Sequence, residues 1–97
     1  MKLWIDDVRD APYGYRWVKT VDEAKQLLSS AFYRKFVELI DIDHDAGELA
    51  QYGGDYIKLL DWLEEEHLSY PIHIHSMNPV GVQNMRRIIQ RTGWKEV

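Results

Sequence analysis

Acidic and histidine residues follow three separate apolar runs in this sequence. Asp6-Asp7 comes after the first run, Asp43-His44-Asp45 after the second and His75-Ser76-Met77-Asn78 after the third. Carboxylates brought together repel one another unless a cation or a raised pKa relieves them, and hard divalent ions take carboxylates, waters and phosphate oxygens as ligands. If the three runs end at one edge of the fold, Asp6, Asp7 and Asp43 form a magnesium-type site.

Each of these features also has an ordinary structural interpretation. A single Asp after a strand more often caps a loop or a helix start, although three clusters weaken that interpretation. A lone histidine in a strand is more often a satisfied core residue than a catalyst. His73 and His75 share one side of the third run, and His75 is the better candidate for proton transfer because it lies nearest the end. Asp41, on the same side as Asp43, is either a supporting partner of the site or a sign that its strand is less buried.

The segment that follows His75 resembles a phosphate-binding turn. Asn78-Pro79 is typical of a helix start, with Asn78 as the N-cap and Pro79 as the first helical residue. Free amides at such a start, together with the missing side chain of Gly81, would let an anion approach closely. Ordinary capping explains the same residues equally well, so both interpretations stay open.

The elements that must position these residues alternate between strands and helices. The predicted order is strand, strand, helix, strand, helix, strand, helix, strand, which favours right-handed crossovers and a parallel sheet with helices on its faces. The sequence therefore predicts an α/β, reduced flavodoxin-like fold of three layers, with a mostly parallel sheet of about five strands, in a single domain over residues 1–97. Ligands of such sheets bind outside the carboxyl ends of the strands, where the three polar clusters lie. The predicted strands are 2–5, 15–19, 36–42, 70–75 and 94–97.

Periodicity places the helices between these strands. A capping box at Thr20 and Glu23 begins the first helix, whose inward face extends as far as Phe32. A second helix is expected over 55–66, and a third begins at Asn78. The segment between the first two strands is shorter than the dozen residues that a parallel crossover needs. Either the first helix of the fold is lost and the second strand sits differently, or that strand lies outside the sheet. The third strand is nearly continuous in apolar character and is therefore expected to be central and covered on both faces.

Composition limits the classes of function. The 97 residues include no cysteine, which excludes disulfides, thiolate metal sites and a cysteine nucleophile. Any metal ion must be held by oxygen or imidazole, which points to Mg²⁺, Mn²⁺ or Ca²⁺. The net charge of −4 with scattered basic residues argues against an extended nucleic-acid surface but permits a small phosphorylated ligand in a local pocket. No signal peptide or membrane span is predicted, so a cytoplasmic location is the expectation. The oligomeric state stays open.

With these residues in place, the chain resembles the receiver-like superfamily. Asp6 and Asp7 match its acidic pair, Asp43 matches its phospho-acceptor aspartate, and Ser76 matches its hydroxyl residue; Lys95 lies near the position of its lysine. Asp43-His44-Asp45 and the run from His75 to Met85 depart from ordinary receivers. Together with the start Ile5-Asp6-Asp7-Val8-Arg9-Asp10-Ala11-Pro12, they are similar to the receiver-like family proposed to process cyclic phosphates.

The resemblance implies a metal-dependent enzyme that acts on a cyclic phosphate or cyclic nucleotide, with Mg²⁺ or Mn²⁺ as cofactor. By position it implies that Asp6, Asp7 and Asp43 hold the metal and that His44 and His75, with Asp43, carry the chemistry. Phosphate would be oriented by Ser76, Asn78 and Gly81, with Asp45, Arg9 and Asn84 in supporting roles. Two alternatives are a signalling receiver phosphorylated on Asp43 and a catalytically silent interaction module. The histidines favour the enzyme, since aspartyl phosphate chemistry needs only acids, a metal and a cation.

Overall fold

Four parallel strands form one sheet in the order β2-β1-β3-β4. The computed structural model describes all residues from Met1 to Val97. The strands are β1 (Lys2–Ile5), β2 (Tyr15–Val18), β3 (Leu39–Ile42) and β4 (Ile72–Ile74). The helices are α1 (Val21–Leu28), α2 (Ala31–Arg34), α3 (Ile57–Glu65) and α4 (Pro79–Thr92), with a 3₁₀ helix over Gly47–Gln51. This architecture confirms the predicted α/β, flavodoxin-like receiver fold.

The sheet has four strands because the predicted final strand makes only one bridge, from Glu96 to Ile72. The Ile72 amide donates to the Lys95 carbonyl, and the Val97 amide donates to the Ile72 carbonyl. The Val97 carbonyl hydrogen-bonds to the His73 ring at 2.7 Å rather than to a backbone amide of β4.

The second strand lies in the sheet and pairs in parallel with β1, with Lys2 opposite Tyr15. The expectation that their connection is too short for a parallel pair is wrong. Residues 6–14 make the return without a helix, because β1 spans only four residues and nine extended residues reach about 30 Å. Two indole N–H groups fix the path: Trp4 donates to the Arg9 carbonyl (2.9 Å) and Trp17 donates to the Asp6 carbonyl (2.8 Å).

Helices cover one face of this sheet. Helices α1, α3 and α4 lie side by side, and the buried core joins their inward residues to alternate strand residues, among them Leu3, Ile5, Ile40 and Ile42. The structure differs here from the three-layer arrangement expected from sequence. No helix follows β1, and both crossovers, from β2 to β3 and from β3 to β4, run in the same direction across the sheet, so right-handed connections put their helices on the same side.

Two predicted apolar segments are shorter than expected. Helix α1 ends at Leu28, and Phe32 lies in the separate helix α2 with 64% of its surface exposed, so its predicted inward position is wrong. The break occurs where the Ser29 hydroxyl donates to the Lys25 carbonyl and Ser30 caps α2. Strand β3 begins at Leu39, which leaves Phe36 exposed, but it lies centrally between β1 and β4 as predicted.

The helix starts that the sequence predicts are present. Thr20 accepts a hydrogen bond from the Glu23 amide at 3.0 Å and begins α1, and Asn78 accepts one from the Gly81 amide at 3.0 Å and begins α4. Gly93 ends α4 in the left-handed conformation. No helix in the structure combines the length and the apolar character needed to cross a bilayer.

Candidate functional site

The carboxyl ends of β1, β3 and β4 meet at one edge of the sheet. Asp6, Asp43 and His75 each offer one ligand atom there, and these atoms lie within 4.8 Å of one another. Asp6 is fully buried, whereas Asp43 and His75 are partly accessible. The edge thus joins two of the three predicted metal-binding acids to one of the two predicted catalytic histidines.

His75 is held between two carboxylates. Its Nδ1 lies 2.5 Å from Oδ1 of Asp41 and its Nε2 lies 2.9 Å from Oδ2 of Asp6, and its side chain is only 9% exposed. Burial lowers the pKa of His75, but the hydrogen bonds to Asp41 and Asp6 outweigh it and raise the pKa above the ordinary value of 6.5. Both ring nitrogens thus face carboxylate oxygens, an arrangement that favours the protonated imidazolium.

The Asp6 carboxylate is held by backbone amides as well as by His75. Its Oδ1 accepts from the amides of Val8 and Arg9, both at 2.9 Å. Burial raises the pKa of Asp6, but these backbone bonds and His75 outweigh it, so the pKa is lowered. Asp6 is thus an ionised carboxylate in a fixed orientation.

Asp7 stands beside this cluster rather than in it. A Cβ on Gly47 would lie 2.7 Å from Oδ2 of Asp7, so the 3₁₀ helix begins directly against this carboxylate. Burial raises the pKa of Asp7, and the negative charges of Asp6, Asp43 and Asp45 add to the shift. The site therefore holds more negative charge than its own cations balance.

His44 belongs to a second group at the start of α4. Its Nδ1 lies 2.8 Å from Oδ1 of Asp45, and Asp45 accepts from the Asn78 amide group at 3.3 and 3.4 Å. The pKa of Asp45 is lowered chiefly by its hydrogen bond with His44. A Cβ on Gly81 would lie 2.6 Å from Cδ2 of His44, so the His44 ring fills the space that the sequence reserves for an anion.

The remaining predicted residues serve mainly local structure. The Ser76 hydroxyl accepts from the Asn78 amide at 3.1 Å, and Arg9 donates to the His75 carbonyl at 3.3 Å. Asn84 accepts from Arg87 on the solvent side of α4. Lys95 is exposed, and its carbonyl accepts from the amide of Ile72, the first residue of β4, so it lies away from the carboxyl end where Asp43 and His75 meet.

Sequence reasoning missed Trp4 and left Asp41 open. The Trp4 ring stacks on His75 with centroids 3.8 Å apart and planes 2° apart, and Asp41 beside them is only 6% exposed. The alternation of side chains along β1 could have identified Trp4. It lies between the buried residues Leu3 and Ile5, so its side chain must point to the other face of the sheet. Pairing of Trp4 with Asp41 in the sheet puts both on the face that carries His75.

Comparison with known families agrees with this geometry. The family model for the cyclic-phosphate processing receiver domain matches residues 1–91. The chain belongs to this family. Among curated proteins and among solved structures, none matches it. Membership confirms the resemblance inferred from the motifs.

Proposed function

We propose that this protein is a metal-dependent phosphoesterase that opens a cyclic phosphate in a small phosphorylated ligand or a cyclic nucleotide. The observation that carries the proposal is the meeting of Asp6, Asp43 and His75 at one sheet edge. Membership in a cyclic-phosphate processing family supports the substrate class. The expected cytoplasmic location stays a prediction.

The donor set at this edge fits a divalent cation. Asp6 and Asp43 would hold Mg²⁺ or Mn²⁺, with the neighbouring Asp7 as the third carboxylate. Burial is the main cause of the raised pKa of Asp7, and the negative charges of Asp6, Asp43 and Asp45 add to it. A bound cation would relieve this added repulsion among the carboxylates. Once bound, the ion supplies positive charge to the phosphoryl oxygens and activates water.

His75 is the proton donor in the proposed reaction. Its Nε2 proton, now donated to Asp6, passes to the leaving oxygen of the opened ester, while Asp41 keeps the ring oriented through Nδ1. His44 is the second histidine of the site and is oriented by Asp45. The Asn78 amide nitrogen has only long contacts to Asp45, at 3.3 and 3.4 Å, while its Oδ1 caps α4. That nitrogen is the donor that Asn78 would offer to a phosphate oxygen.

A hydrolysis screen tests the proposal. We expect turnover of at least one substrate among 2′,3′-cyclic phosphates, cyclic nucleotides and cyclic dinucleotides with Mg²⁺ or Mn²⁺. Asp43→Asn should abolish the turnover, and Glu65→Gln, an equal charge change on an exposed position of α3, should leave it unchanged. Absence of turnover by the folded protein across the panel would overturn the proposal. A stable phosphoryl adduct on Asp43 after incubation with acetyl phosphate would favour the signalling alternative.

A further inference from the structure

The sheet face opposite the helices carries an aromatic cluster that adjoins the candidate site. Trp4, Tyr15 and Trp17 lie on the neighbouring strands β1 and β2, and they alternate with the buried residues Leu3, Ile5 and Val18, which face the helices. Trp4 and Tyr15 meet edge to face with centroids 6.0 Å apart. These three half-buried residues are called the aromatic face below.

The aromatic face adjoins the sheet edge that carries Asp6, Asp43 and His75, which is called the carboxylate edge. Trp4 stacks on His75, and the Trp17 indole N–H donates to the Asp6 carbonyl at 2.8 Å. One edge of the Trp17 ring is therefore fixed to a residue of the proposed metal site, so a ligand whose phosphate lies at Asp6 and Asp43 has this ring as its neighbour.

Lysines on the same face supply charge that suits an anionic ligand. Lys19 Nζ lies 4.3 Å from the centroid of the Trp17 ring, and Lys2 Nζ lies 5.5 Å from that of Tyr15. Both lysines are exposed, as is His73 on the same face. Charged residues are depleted from the cores of protein interfaces, so this face is poorly suited to a second protein surface. Aromatic rings beside lysines are instead the pattern that stacks and neutralises nucleotides.

We propose that the aromatic face, with Trp17 as its central residue, binds the base of a nucleotide whose phosphate occupies the carboxylate edge. This inference rests on the proposed function and narrows its substrate class to nucleotides, as opposed to cyclic phosphates of sugars or polyols. Lys19 leaves the Trp17 ring when the base stacks there and turns toward the phosphate.

The test compares two ligands that differ only in the base. Adenosine 2′-monophosphate and methyl riboside 2′-phosphate share the same phosphorylated sugar and contain no cyclic ester to be hydrolysed. Calorimetric titration with Mg²⁺ present should give a lower Kd for the nucleotide by roughly 5- to 150-fold, the range for one stacked base. Trp17→Leu and Trp17→Phe both lose the hydrogen bond to the Asp6 carbonyl, so the two variants should change the Kd of the base-free ligand equally. Trp17→Leu should remove the preference for the nucleotide, whereas Trp17→Phe should keep most of it.

Phe32→Leu is the matched control, because Phe32 is an exposed aromatic on α2, away from this face. If Trp17→Leu does not fold, Tyr15→Leu is measured in its place and should reduce the difference. Equal Kd values for the two ligands, or a nucleotide preference that persists in the folded variants, would overturn the inference. So would sedimentation of the wild-type chain as a dimer that Trp17→Leu dissociates. Binding of the base-free ligand and hydrolysis of any cyclic phosphate test the proposed function separately.

Discussion

At the scale of single residues, His75 and a metal ion would compete for the same carboxylate. The Nε2 proton of His75 is donated to Oδ2 of Asp6, one of the two acids proposed to hold the ion. Asp41 stands on the other side of the ring, and its bond to Nδ1 persists whichever group binds Asp6. The bond from Asp41 to Nδ1 therefore keeps the His75 ring in one orientation.

Stability of the metal-free protein should depend on pH through His75. The hydrogen bonds to Asp41 and Asp6 raise the pKa of His75. Protonated His75 therefore contributes fully to the free energy of unfolding below about pH 6.5, and this contribution is lost as pH rises through the folded-state pKa. The free energy of unfolding should therefore fall as pH rises above about 6.5. Urea unfolding in EDTA at several pH values should show this slope in the wild type and in His73→Gln. An equal slope in His75→Gln would contradict the assignment.

Divalent ions should raise the melting temperature through Asp6 and Asp43. An ion that binds only the folded state, at 100 times its Kd, adds about 2.7 kcal/mol to the free energy of unfolding. Thermal melts with and without millimolar Mg²⁺ or Mn²⁺ should show the increase in the wild type and in Glu65→Gln. Asp43→Asn should lose most of it. Identical melting temperatures in all samples would argue against a metal site here.

At the scale of elements, the start of α4 is built around the His44 ring. Gly81 is buried in the first turn, and its missing side chain gives the ring its place. Alanine is normally favoured over glycine inside a helix by about 0.8–1.0 kcal/mol. At position 81 alanine should instead be less stable than glycine, because its Cβ would collide with the His44 ring.

A double-mutant cycle tests this packing. Gly81→Ala should lower the free energy of unfolding in the wild type, whereas in a His44→Ala background the same change should raise it by up to about 1 kcal/mol. Chemical denaturation of the four proteins measures both effects. A stabilising Gly81→Ala in the wild type would mean that the ring lies elsewhere in solution.

Sequence patterns predicted the strands and the helix start that carry the site, but they did not predict the contacts between these elements. Alternation and capping gave β1, β4 and the start of α4, because those signals are local. The pairing of β1 with β2 was missed, since no local pattern shows that Trp4 and Trp17 anchor the helix-free return. The bond from His75 to Asp41 joins residues 34 positions apart, and only the strand register brings them together.

At the scale of the whole molecule, one face of the sheet bears the apolar core. Leu3 is fully buried against the helices, whereas its neighbour Lys2 points to the other face and is exposed. Because helices cover only one face of the sheet, the loss in free energy of unfolding caused by a substitution in β1 should depend on which face the side chain occupies.

Alanine substitutions at two neighbouring positions measure this difference between the two faces. Leu3→Ala should lower the free energy of unfolding by about 2–5 kcal/mol, the usual range for a buried leucine. Lys2→Ala should change it by less than about 0.5 kcal/mol, as for most surface positions. Denaturant titrations of both variants give the comparison. Similar losses at both positions would mean that the second face is also packed.

The helix-free return from β1 to β2 also bears on the order in which the molecule assembles. Lys2 pairs with Tyr15, only 13 residues later, whereas its other partner Leu39 lies 37 residues away. Closing a longer loop costs more chain entropy, and long-range contacts slow folding. Strands β1 and β2 can therefore nucleate the sheet early. The group of Asp6, Asp43 and His75 is complete only after β3 and β4 have joined β1, so we expect the candidate site to form late in folding.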